Sequence, residues 1–553
     1  MKRRKIIFLS SLALMIVFTS GFILNNSDIY FEISKNIELF GKVYKEISFN
    51  YVDNIDPQEF MRAGIKGMLS KLDPYTVFID EKNQDDIDLL TNGKYGGVGI
   101  SIGVRNDKVT ILEILDGYAA QKQGLRIGDV ITNIGENIVT SEKIDEISSL
   151  VKGEPGTSVQ IKVLRSNEPD TLIFNLIREE VIIKNLSFAD FYPENSNNVY
   201  LKLTNFSRSA GDEVRSALIQ LKNKKEIKSI ILDLRGNPGG LLDVAVDICD
   251  KFLKKDLLIV STRGRDISSE KKYYAIEEPL AGKEKLIVLI NGSSASASEI
   301  VAGAIQDHDR GAILGTQSFG KGLVQTITPL SFNTSLKITT AKYFTPSGRC
   351  IQKIDYSKDN DVIPVSDSLK KDIFSTDNKR VVYSAGGITP DTTVKNDSES
   401  DLLKDLLAKG IIFNFADNYY YSNEKSDFNK LNDDKIMTEF KQYLVHSNYE
   451  YESDLENKIA DVVRHLKERH NAKKMETTLE KLKTEVNEMF EIEFKENLNE
   501  ILKSLKIELA YRYNGIDGGM REKLKYDKQF TTALNVLMNE VVYSELLNNK
   551  IKN

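Results

Sequence analysis

The sequence predicts a multidomain α/β protein with an apolar N-terminal segment and a helical C-terminal region. A chain of 553 residues predicts three to four domains. The pattern changes at Tyr95 from helical periodicity to short strands with glycine turns, and strands alternate with helices from residue 171 onward. Beyond residue 396 the chain is helical and charged. The predicted segments are an anchor at 1–27, a helical platform at 28–88, a glycine-rich β domain at 89–170, an α/β core at 171–396 and a helical extension at 397–553.

The N-terminal segment combines a basic stretch with an apolar run. MKRRK precedes residues 6–24, which are mostly apolar and would span about 28 Å as a helix, close to the hydrocarbon thickness of a bilayer. The segment is therefore an export signal or a membrane anchor, and the lack of a clear A-x-A cleavage site favours an uncleaved anchor. The basic residues would stay inside, so we expect the rest of the chain on the outer face of the cytoplasmic membrane or in the periplasm.

Composition limits the classes of partner. The net charge of −6 gives no reason to expect nucleic acid as a partner. Only Cys249 and Cys350 are present, which excludes a disulfide framework and a cysteine-based zinc site. We expect no metal and no cofactor. Residues 28–88 are expected to form amphipathic helices that serve as a platform or as an arm for a homo-oligomer.

Two glycine-rich stretches are suited to bind anionic groups. The loop GGVGI allows consecutive N–H groups to converge on a carboxylate, while the strand after it offers an edge for an added peptide strand. The turn RGNPGG at Arg235–Gly240 leaves a strand and opens a helix, so its amides are suited to hold an oxyanion. A plain strand-to-helix turn is the alternative for the second stretch. The residues of the first loop are Gly96, Gly97, Val98, Gly99 and Ile100.

Ser296 lies where a helix is predicted to begin. The apolar run LIVLI predicts a buried strand, NGSS a turn, and the S-x-x-E pattern from Ser296 to Glu299 a capping box. The surrounding residues are small, so a substrate backbone can approach the hydroxyl. A purely structural cap is the alternative.

Lys321 lies between two glycines in the sequence FGKG. An amine that acts as a base must lose its proton, and lowering a lysine pKa from near 10.4 to about 8 costs about 3 kcal/mol, which burial can supply. The alternative is an ordinary lysine in a glycine turn. Histidine is scarce, no G-x-S-x-G elbow is present, and His308 is the one histidine near the predicted core helix. A serine hydrolase here would most easily use lysine as its base.

The segments SASASEIVAGAIQD and SFGKGLVQ resemble the C-terminal processing peptidases, also called tail-specific proteases. The resemblance implies a serine-lysine dyad of Ser296 and Lys321, with Gln325 assisting the lysine. The segment DLRGNPGG is similar to the family's oxyanion loop, which implies that Ala297 and either Gly239 or Gly240 donate to the oxyanion. GGVGI and QGLRIGDVITNIGE resemble a PDZ domain, and LDPYTVF resembles the family's N-terminal platform.

Three functions remain open from the sequence. The resemblance implies an exported, membrane-tethered serine endopeptidase that recognises the free C-termini of protein substrates and cuts near them. A catalytically silent PDZ scaffold that binds C-terminal peptides is the first alternative. An esterase or amidase that pairs Ser296 with His308 is the second.

Overall fold

The computed structural model describes residues 29–81, 89, 91–165, 168–356, 363–364, 372–451, 458, 461, 464–465 and 492–548. The predicted anchor at residues 6–24 lies outside the described residues. No helix within the described ranges is long and apolar enough to cross a bilayer. The chain forms two compact units. Among the described residues, the smaller unit comprises 29–79 together with Ile327–Thr339 and Tyr356.

The smaller unit is mainly helical. Helix α1 covers residues 29–50, and helix α2 covers Pro57–Leu69, which begins with proline and is capped by Asp56. The prediction of helices throughout 28–88 is wrong at strand β1, Val77–Ile79, which pairs antiparallel with Ser335–Lys337. The reason is local, because Pro74 disfavours a continuing helix and the three apolar residues favour an extended chain.

The glycine-rich region folds into an antiparallel β domain with the strand order β3-β4-β5-β7-β8. The predicted boundary at residue 170 is wrong, because β8 lies beyond it and pairs with β7 along its whole length. The domain core contains the buried side chains of Val98, Ile111 and Ile161. The elements are β2 Lys94–Gly97, β3 Ile100–Arg105, β4 Lys108–Ile114, α3 Ala119–Gln123, β5 Val130–Ile134, β6 Asn137–Ile138, α4 Ile144–Val151, β7 Ser158–Leu164, β8 Leu172–Ile177 and β9 Glu179–Ile182.

A six-stranded sheet in the order β10-β11-β12-β15-β16-β23 forms the centre of the larger unit. Strand β10 is antiparallel to β11 and the other pairings are parallel. The predicted strand LIVLI lies within β15 and is completely buried. The elements are β10 Leu186–Phe191, β11 Asn198–Leu203, α5 Ala210–Lys224, β12 Ser229–Asp233, α6 Leu242–Asp250, β13 Leu258–Gly264, β14 Lys271–Tyr274, β15 Lys285–Ile290, α7 Ala297–Asp307, β16 Ala312–Gly315, β17 Leu323–Pro329, β18 Ser335–Phe344, β19 Ile354–Asp355, β20 Ile363–Pro364, β21 Ile373–Ser375, β22 Val381–Tyr383 and β23 Thr392–Thr393.

The C-terminal helices complete this core. Helices α5, α6 and α7 pack on one face of the sheet, where Leu232 is buried. The opposite face, with Ile231, is covered by the last helices of the chain, including Phe530 and Leu537. A mostly parallel sheet needs both faces covered, so the predicted boundary at residue 396 divides one core. The C-terminal helices are α8 Asp401–Ala408, α9 Ile411–Ser422, α10 Asp433–His446, α11 Leu498–Tyr526, α12 Lys528–Met538 and α13 Glu540–Asn548.

The C-terminal region also contacts the β domain. The Arg126 guanidinium lies over the Tyr421 ring, 4.6 Å from its centroid. A Cβ at Gly128 would lie 1.5 Å from Oδ2 of Asp417, so this approach requires glycine. Asp417 also accepts a hydrogen bond from Nε of Arg512 at 3.1 Å, which joins α9 to α11. One helical region therefore contacts the β domain at one end and the central sheet at the other.

Candidate active site

Ser296 is held at the N-terminus of α7 in an unusual backbone conformation. It is the N-cap residue of the helix, as predicted, with φ 55° and ψ −115°. A positive φ is uncommon for a residue with a side chain, and it occurs where the surrounding structure enforces it. The preceding turn is fixed by Ser294, whose Oγ donates to the Leu234 carbonyl at 2.8 Å. The half-buried hydroxyl group of Ser296 thus lies at the positive end of a helix dipole.

Lys321 lies in a tight loop between β16 and β17. Its glycine neighbours are both needed for the packing of this loop. A Cβ at Gly320 would lie 2.6 Å from Cβ of Lys353, and a Cβ at Gly322 would lie 2.9 Å from the Gln352 nitrogen. The loop therefore packs closely against Gln352 and Lys353, and the Lys321 side chain is half-buried.

Glu299 connects the serine to the lysine loop. The carboxylate is completely buried. Its Oε2 accepts the backbone N–H groups of Ser296 and Lys321, both at 2.9 Å. Its Oε1 accepts Oγ of Ser318 at 2.5 Å and the N–H of Gly320 at 2.7 Å. Burial raises the pKa of Glu299 to about 7, although these hydrogen bonds oppose the rise. The sequence indicated this residue only as half of a capping box.

Tyr343, on β18, forms a second connection between the same two residues. The single proton of its buried hydroxyl is shared between the backbone carbonyl oxygens of Ser296, at 3.2 Å, and of Lys321. Its own N–H donates to the Gly322 carbonyl at 3.0 Å. Burial raises the pKa of Tyr343 well above its usual value, so the hydroxyl remains a donor. Sequence reasoning missed this residue because a single tyrosine in a strand carries no local signal of its distant partners.

Gln325 lies four residues after Lys321 on strand β17 and is half-buried. Alternate residues of a strand share a face, so Gln325 is on the same side as the buried Leu323. The structure thus places Gln325 on the strand that follows the lysine loop.

The structure separates the two candidate oxyanion glycines. A Cβ at Gly239 would lie 2.8 Å from Cβ of Ser296 and 2.9 Å from the Ala297 nitrogen. A Cβ at Gly240 would instead lie 2.4 Å from the Phe206 carbonyl oxygen, so this residue packs against Phe206. Ala297 is the first residue of α7, where an N–H has no acceptor within the helix. Gly239 and Ala297 are therefore the pair next to Ser296.

The N–H of Gly239 has an acceptor within its own loop. It donates to Oδ1 of Asn237 at 2.9 Å. Nδ2 of Asn237 donates to the Leu203 carbonyl at 3.0 Å, and its backbone carbonyl accepts the Ala295 N–H at 3.1 Å. A substrate oxyanion that uses the Gly239 N–H has to replace this side-chain acceptor.

His308 is not brought to Ser296. The two residues are the C-cap and the N-cap of the same 11-residue helix, which separates them by more than about 15 Å at 1.5 Å per residue. Nδ1 of His308 contacts Oδ2 of Asp377 at 2.8 Å, and Nε2 contacts the Leu258 carbonyl at 2.7 Å. This geometry excludes the esterase hypothesis, which required a Ser296–His308 pair.

The GGVGI loop directs N–H groups to one side. The Val98 carbonyl accepts the Ala120 N–H at 3.0 Å, and the Gly99 carbonyl accepts the Leu115 N–H at 2.9 Å. In a planar trans peptide the next N–H points opposite to the carbonyl, so the N–H groups of Gly99 and Ile100 point away from these partners. Gly96 is fixed through its carbonyl, which accepts the N–H of Gly153 at 3.0 Å, while Gly97 and Val98 are buried.

A cavity of about 650 Å³ lies between this loop and the α/β core. Tyr95, Gly96 and Pro155 line it on the side of the β domain, and Arg208 and Asp212 line it on the side of the core. The cavity therefore provides open space next to the loop. Within the described ranges, no cluster of three or more His, Cys, Asp or Glu side chains is arranged to hold a metal ion.

Four segments of the chain match known protein families. A profile of peptidase family S41 matches residues 197–362, and a PDZ-domain profile matches 96–176. The N-terminal domain of the activating protease CtpB matches 23–83. The C-terminal helical domain of a probable PDZ-protease matches 402–537.

The most informative relative is a carboxy-terminal-processing protease of Bartonella bacilliformis. It is 37% identical over 356 residues, which cover 64% of this chain and 80% of that protein. The chain belongs to the carboxy-terminal-processing protease family. The carboxy-terminal processing protease CtpB of Bacillus subtilis is 30% identical over 325 residues, which cover 58% of this chain and 67% of the relative.

A solved photosystem II D1 C-terminal processing protease is 25% identical, and the match covers 64% of this chain and 85% of that one. The TM-score of this match is 0.34. As a member of the carboxy-terminal-processing protease family the chain is a serine-type peptidase with a PDZ domain, and its glycine-rich β domain is that PDZ domain. Family membership therefore favours the enzyme over the silent scaffold.

Proposed function

We propose that this carboxy-terminal-processing protease uses a catalytic dyad of Ser296 and Lys321. The observation that carries the proposal is the double connection between them, since Glu299 accepts both backbone N–H groups and the Tyr343 hydroxyl contacts both carbonyls. Two residues on different elements need such connections when their side chains must react together.

In the proposed reaction Oγ of Ser296 attacks the scissile carbonyl carbon. The hydroxyl proton passes to the neutral Nζ of Lys321, which then donates it to the leaving amine, and water hydrolyses the resulting acyl-enzyme. Gln325 is the residue that orients the amine. The N–H groups of Ala297 and Gly239 stabilise the oxyanion of the tetrahedral intermediate. The Gly239 N–H can do so once it has exchanged its acceptor, Oδ1 of Asn237, for the substrate oxygen.

The PDZ domain is proposed to select substrates by their free C-termini. The terminal carboxylate would bind the N–H groups of the loop from Gly96 to Ile100, and the tail would add a strand at β3. Support comes from the orientation of the Gly99 and Ile100 N–H groups. Proteins with free C-terminal tails are the proposed substrates.

Two further proposals concern the N-terminal part. Residues 6–24 are proposed to anchor the protein, so that it acts on exported proteins outside the cytoplasmic membrane. Helix α1 is proposed to mediate a homo-oligomer, because many of its large apolar side chains are exposed. Those residues are Ile29, Tyr30, Phe31, Ile33, Ile37, Leu39, Phe40, Val43 and Phe49.

The dyad is tested by removing each member. Ser296→Ala and Lys321→Ala should each abolish hydrolysis of a peptide with a free C-terminus while binding of the peptide is retained. Ser293→Ala and Lys353→Ala are matched controls, because both residues are exposed and of the same type. Activity in a folded Lys321→Ala variant would overturn the lysine-base mechanism. Activity in Ser296→Ala would overturn the assignment of Ser296 as the nucleophile.

A further inference from the structure

The residue that opens the oxyanion loop is bound by the C-terminal helices. The side chain of Arg235 is only 12% exposed. Its Nε donates to both oxygens of Asp233 at 3.0 Å, and one N–H of Nη2 donates to Oδ2 of Asp233 at 2.5 Å. The remaining donors bind Asp527, with Nη1 to Oδ1 at 3.0 Å and Nη2 to Oδ2 at 2.7 Å, and Gln529, with Nη1 to Oε1 at 2.8 Å. All five N–H groups of the guanidinium are used.

Asp527 and Gln529 are themselves fixed. Asp527 is the N-cap of α12, where Oδ1 accepts the Phe530 N–H at 2.9 Å. Nε2 of Gln529 donates to the Val394 carbonyl at 2.6 Å. The Phe530 ring packs edge-on against Tyr200 at 5.4 Å, and the Tyr200 hydroxyl donates to Oδ2 of Asp233 at 2.5 Å. The start of α12 therefore supports both members of the Asp233–Arg235 pair.

Contacts along the loop connect Arg235 to Ser296. Gly236, the next residue, donates its N–H to Oδ1 of Asn291 at 2.9 Å, in the turn before the nucleophile. The Asn237 carbonyl accepts Oγ of Ser298 at 3.0 Å. Gly239 then packs directly against Ser296. Three residues separate Arg235 from Gly239, the proposed oxyanion donor, so a displaced Arg235 would displace that donor.

We propose that Asp527 is a positioning residue for proteolysis and that the C-terminal helices are a required part of the active site. Asp527 touches no substrate. It holds Arg235, and through it the loop that places Gly239 beside Ser296. The inference rests on the proposed roles of Ser296 and Gly239, and it gives the C-terminal helical domain a function in catalysis in addition to covering the sheet.

The test uses Asp527→Asn in the full chain. Asparagine is an equally good N-cap and has nearly the same size, but it carries no charge and has one acceptor oxygen in place of two. The matched control is Lys528→Ala, because Lys528 is the next residue and its amine pairs with the exposed Asp397 on the surface. Both variants are compared with the natural chain in kcat and KM for one peptide substrate, per folded molecule.

We expect Asp527→Asn to lower kcat at least tenfold with KM within about twofold, since loss of one oxyanion donor costs about 10²- to 10³-fold in kcat. Affinity for a peptide boronic acid of the same sequence should fall in parallel, because its tetrahedral adduct uses the same donors. Binding of a C-terminal peptide to the PDZ domain should be unchanged. Lys528→Ala should behave like the natural chain in all three measurements.

A kcat per folded molecule within twofold of the natural value would overturn the inference, as would unchanged boronic acid affinity. If Asp527→Asn does not fold, Gln529→Ala removes a single bond to Arg235, and we expect about a threefold loss of kcat. An unchanged kcat in that variant would also overturn the inference. An active Ser296→Ala variant would reject the proposed function itself, whereas inactive Ser296→Ala with fully active Asp527→Asn would reject only the role of Asp527.

Discussion

The backbone N–H groups of Ser296 and Lys321 donate to the same oxygen atom, Oε2 of Glu299, at 2.9 Å each. The first residue opens a helix and the second lies in the loop before β17, so no regular secondary structure joins them. One buried carboxylate therefore sets the spacing between the proposed nucleophile and the proposed base.

The pH dependence of stability should report on Glu299. Its folded pKa of about 7 lies above the ordinary value of 4.5, so the folded chain keeps this proton to higher pH than the unfolded chain does. The contribution of Glu299 to the free energy of unfolding is therefore largest below about pH 4.5 and falls as the pH rises to about 7. The gap between the two pKa values corresponds to about 3 kcal/mol.

Glu299→Gln is the matching variant, because glutamine does not titrate. Urea unfolding of both proteins measures the free energy of unfolding between about pH 5 and pH 8. Over this range the value for the natural chain should fall by up to about 3 kcal/mol more than the value for the variant, and above pH 8 the difference should stay constant. The same dependence of the free energy of unfolding on pH in both proteins would contradict the prediction. Activity of the variant should fall at all pH values, since an amide cannot accept all four hydrogen bonds.

Gly239→Ala should nearly abolish catalysis. The new methyl group would lie 2.7 Å from the Ala295 carbonyl oxygen and 2.8 Å from Cβ of Ser296, and we expect kcat to fall about a hundredfold or more. Gly236→Ala is the control. It is in the same loop and has a similarly positive φ, 73° against 102°, but a Cβ there meets no atom within 4 Å. Equal losses in the two variants would show that backbone strain, not contact with the serine, is responsible.

His308→Ala should retain peptidase activity. Both ring nitrogens are engaged by Asp377 and the Leu258 carbonyl, at the opposite end of α7 from the serine. We expect kcat within about threefold of the natural value, together with lower stability from the lost hydrogen bonds, at about 1 kcal/mol each. The measurement is steady-state kinetics on folded protein, and a folded but inactive variant would make the lysine-base mechanism untenable.

Amidation of a substrate's C-terminus should slow its cleavage. The amide lacks the charge that the loop from Gly96 to Ile100 is proposed to bind, and charge-assisted hydrogen bonds are worth about 1.5 to 3 kcal/mol. The cleavage efficiency of a long peptide should fall about ten- to a hundredfold. A peptide too short to reach both the PDZ domain and Ser296 should be cleaved equally in both forms. Equal rates for the two forms of the long peptide would refute tail recognition.

A pair of glycine variants distinguishes the effect of a change in the loop from the effect of a change elsewhere in the PDZ domain. A Cβ at Gly99 would lie 2.5 Å from Cβ of Tyr118, whereas a Cβ at Gly156 meets no atom within 4 Å. Both residues have a positive φ, 82° for Gly99 and 90° for Gly156. Gly99→Ala should remove the difference between acid and amide substrates. Gly156→Ala should preserve it.

Local patterns predicted the parts of the site that depend on neighbours in the chain. The capping pattern predicted the helix after Ser296, and the glycine turn predicted a loop after β12. The pairings that assemble these parts were not predictable. Tyr343 lies 47 residues from Ser296, and Asp527 lies 292 residues from Arg235. Such contacts depend on how the elements pack, and one sequence carries no periodic signal for them.

The contact of the PDZ domain with the C-terminal helices has a geometric consequence. Arg126 lies on Tyr421 and Gly128 abuts Asp417, while the last helices of the same region are packed on the central sheet that carries Ser296. The PDZ domain and the sheet that carries Ser296 therefore both contact the same C-terminal helical region. A substrate tail bound at its C-terminus by the PDZ domain would then reach Ser296 over a constant length of chain. If the PDZ domain binds the terminal carboxylate as proposed, the cut would fall at a set number of residues from the C-terminus.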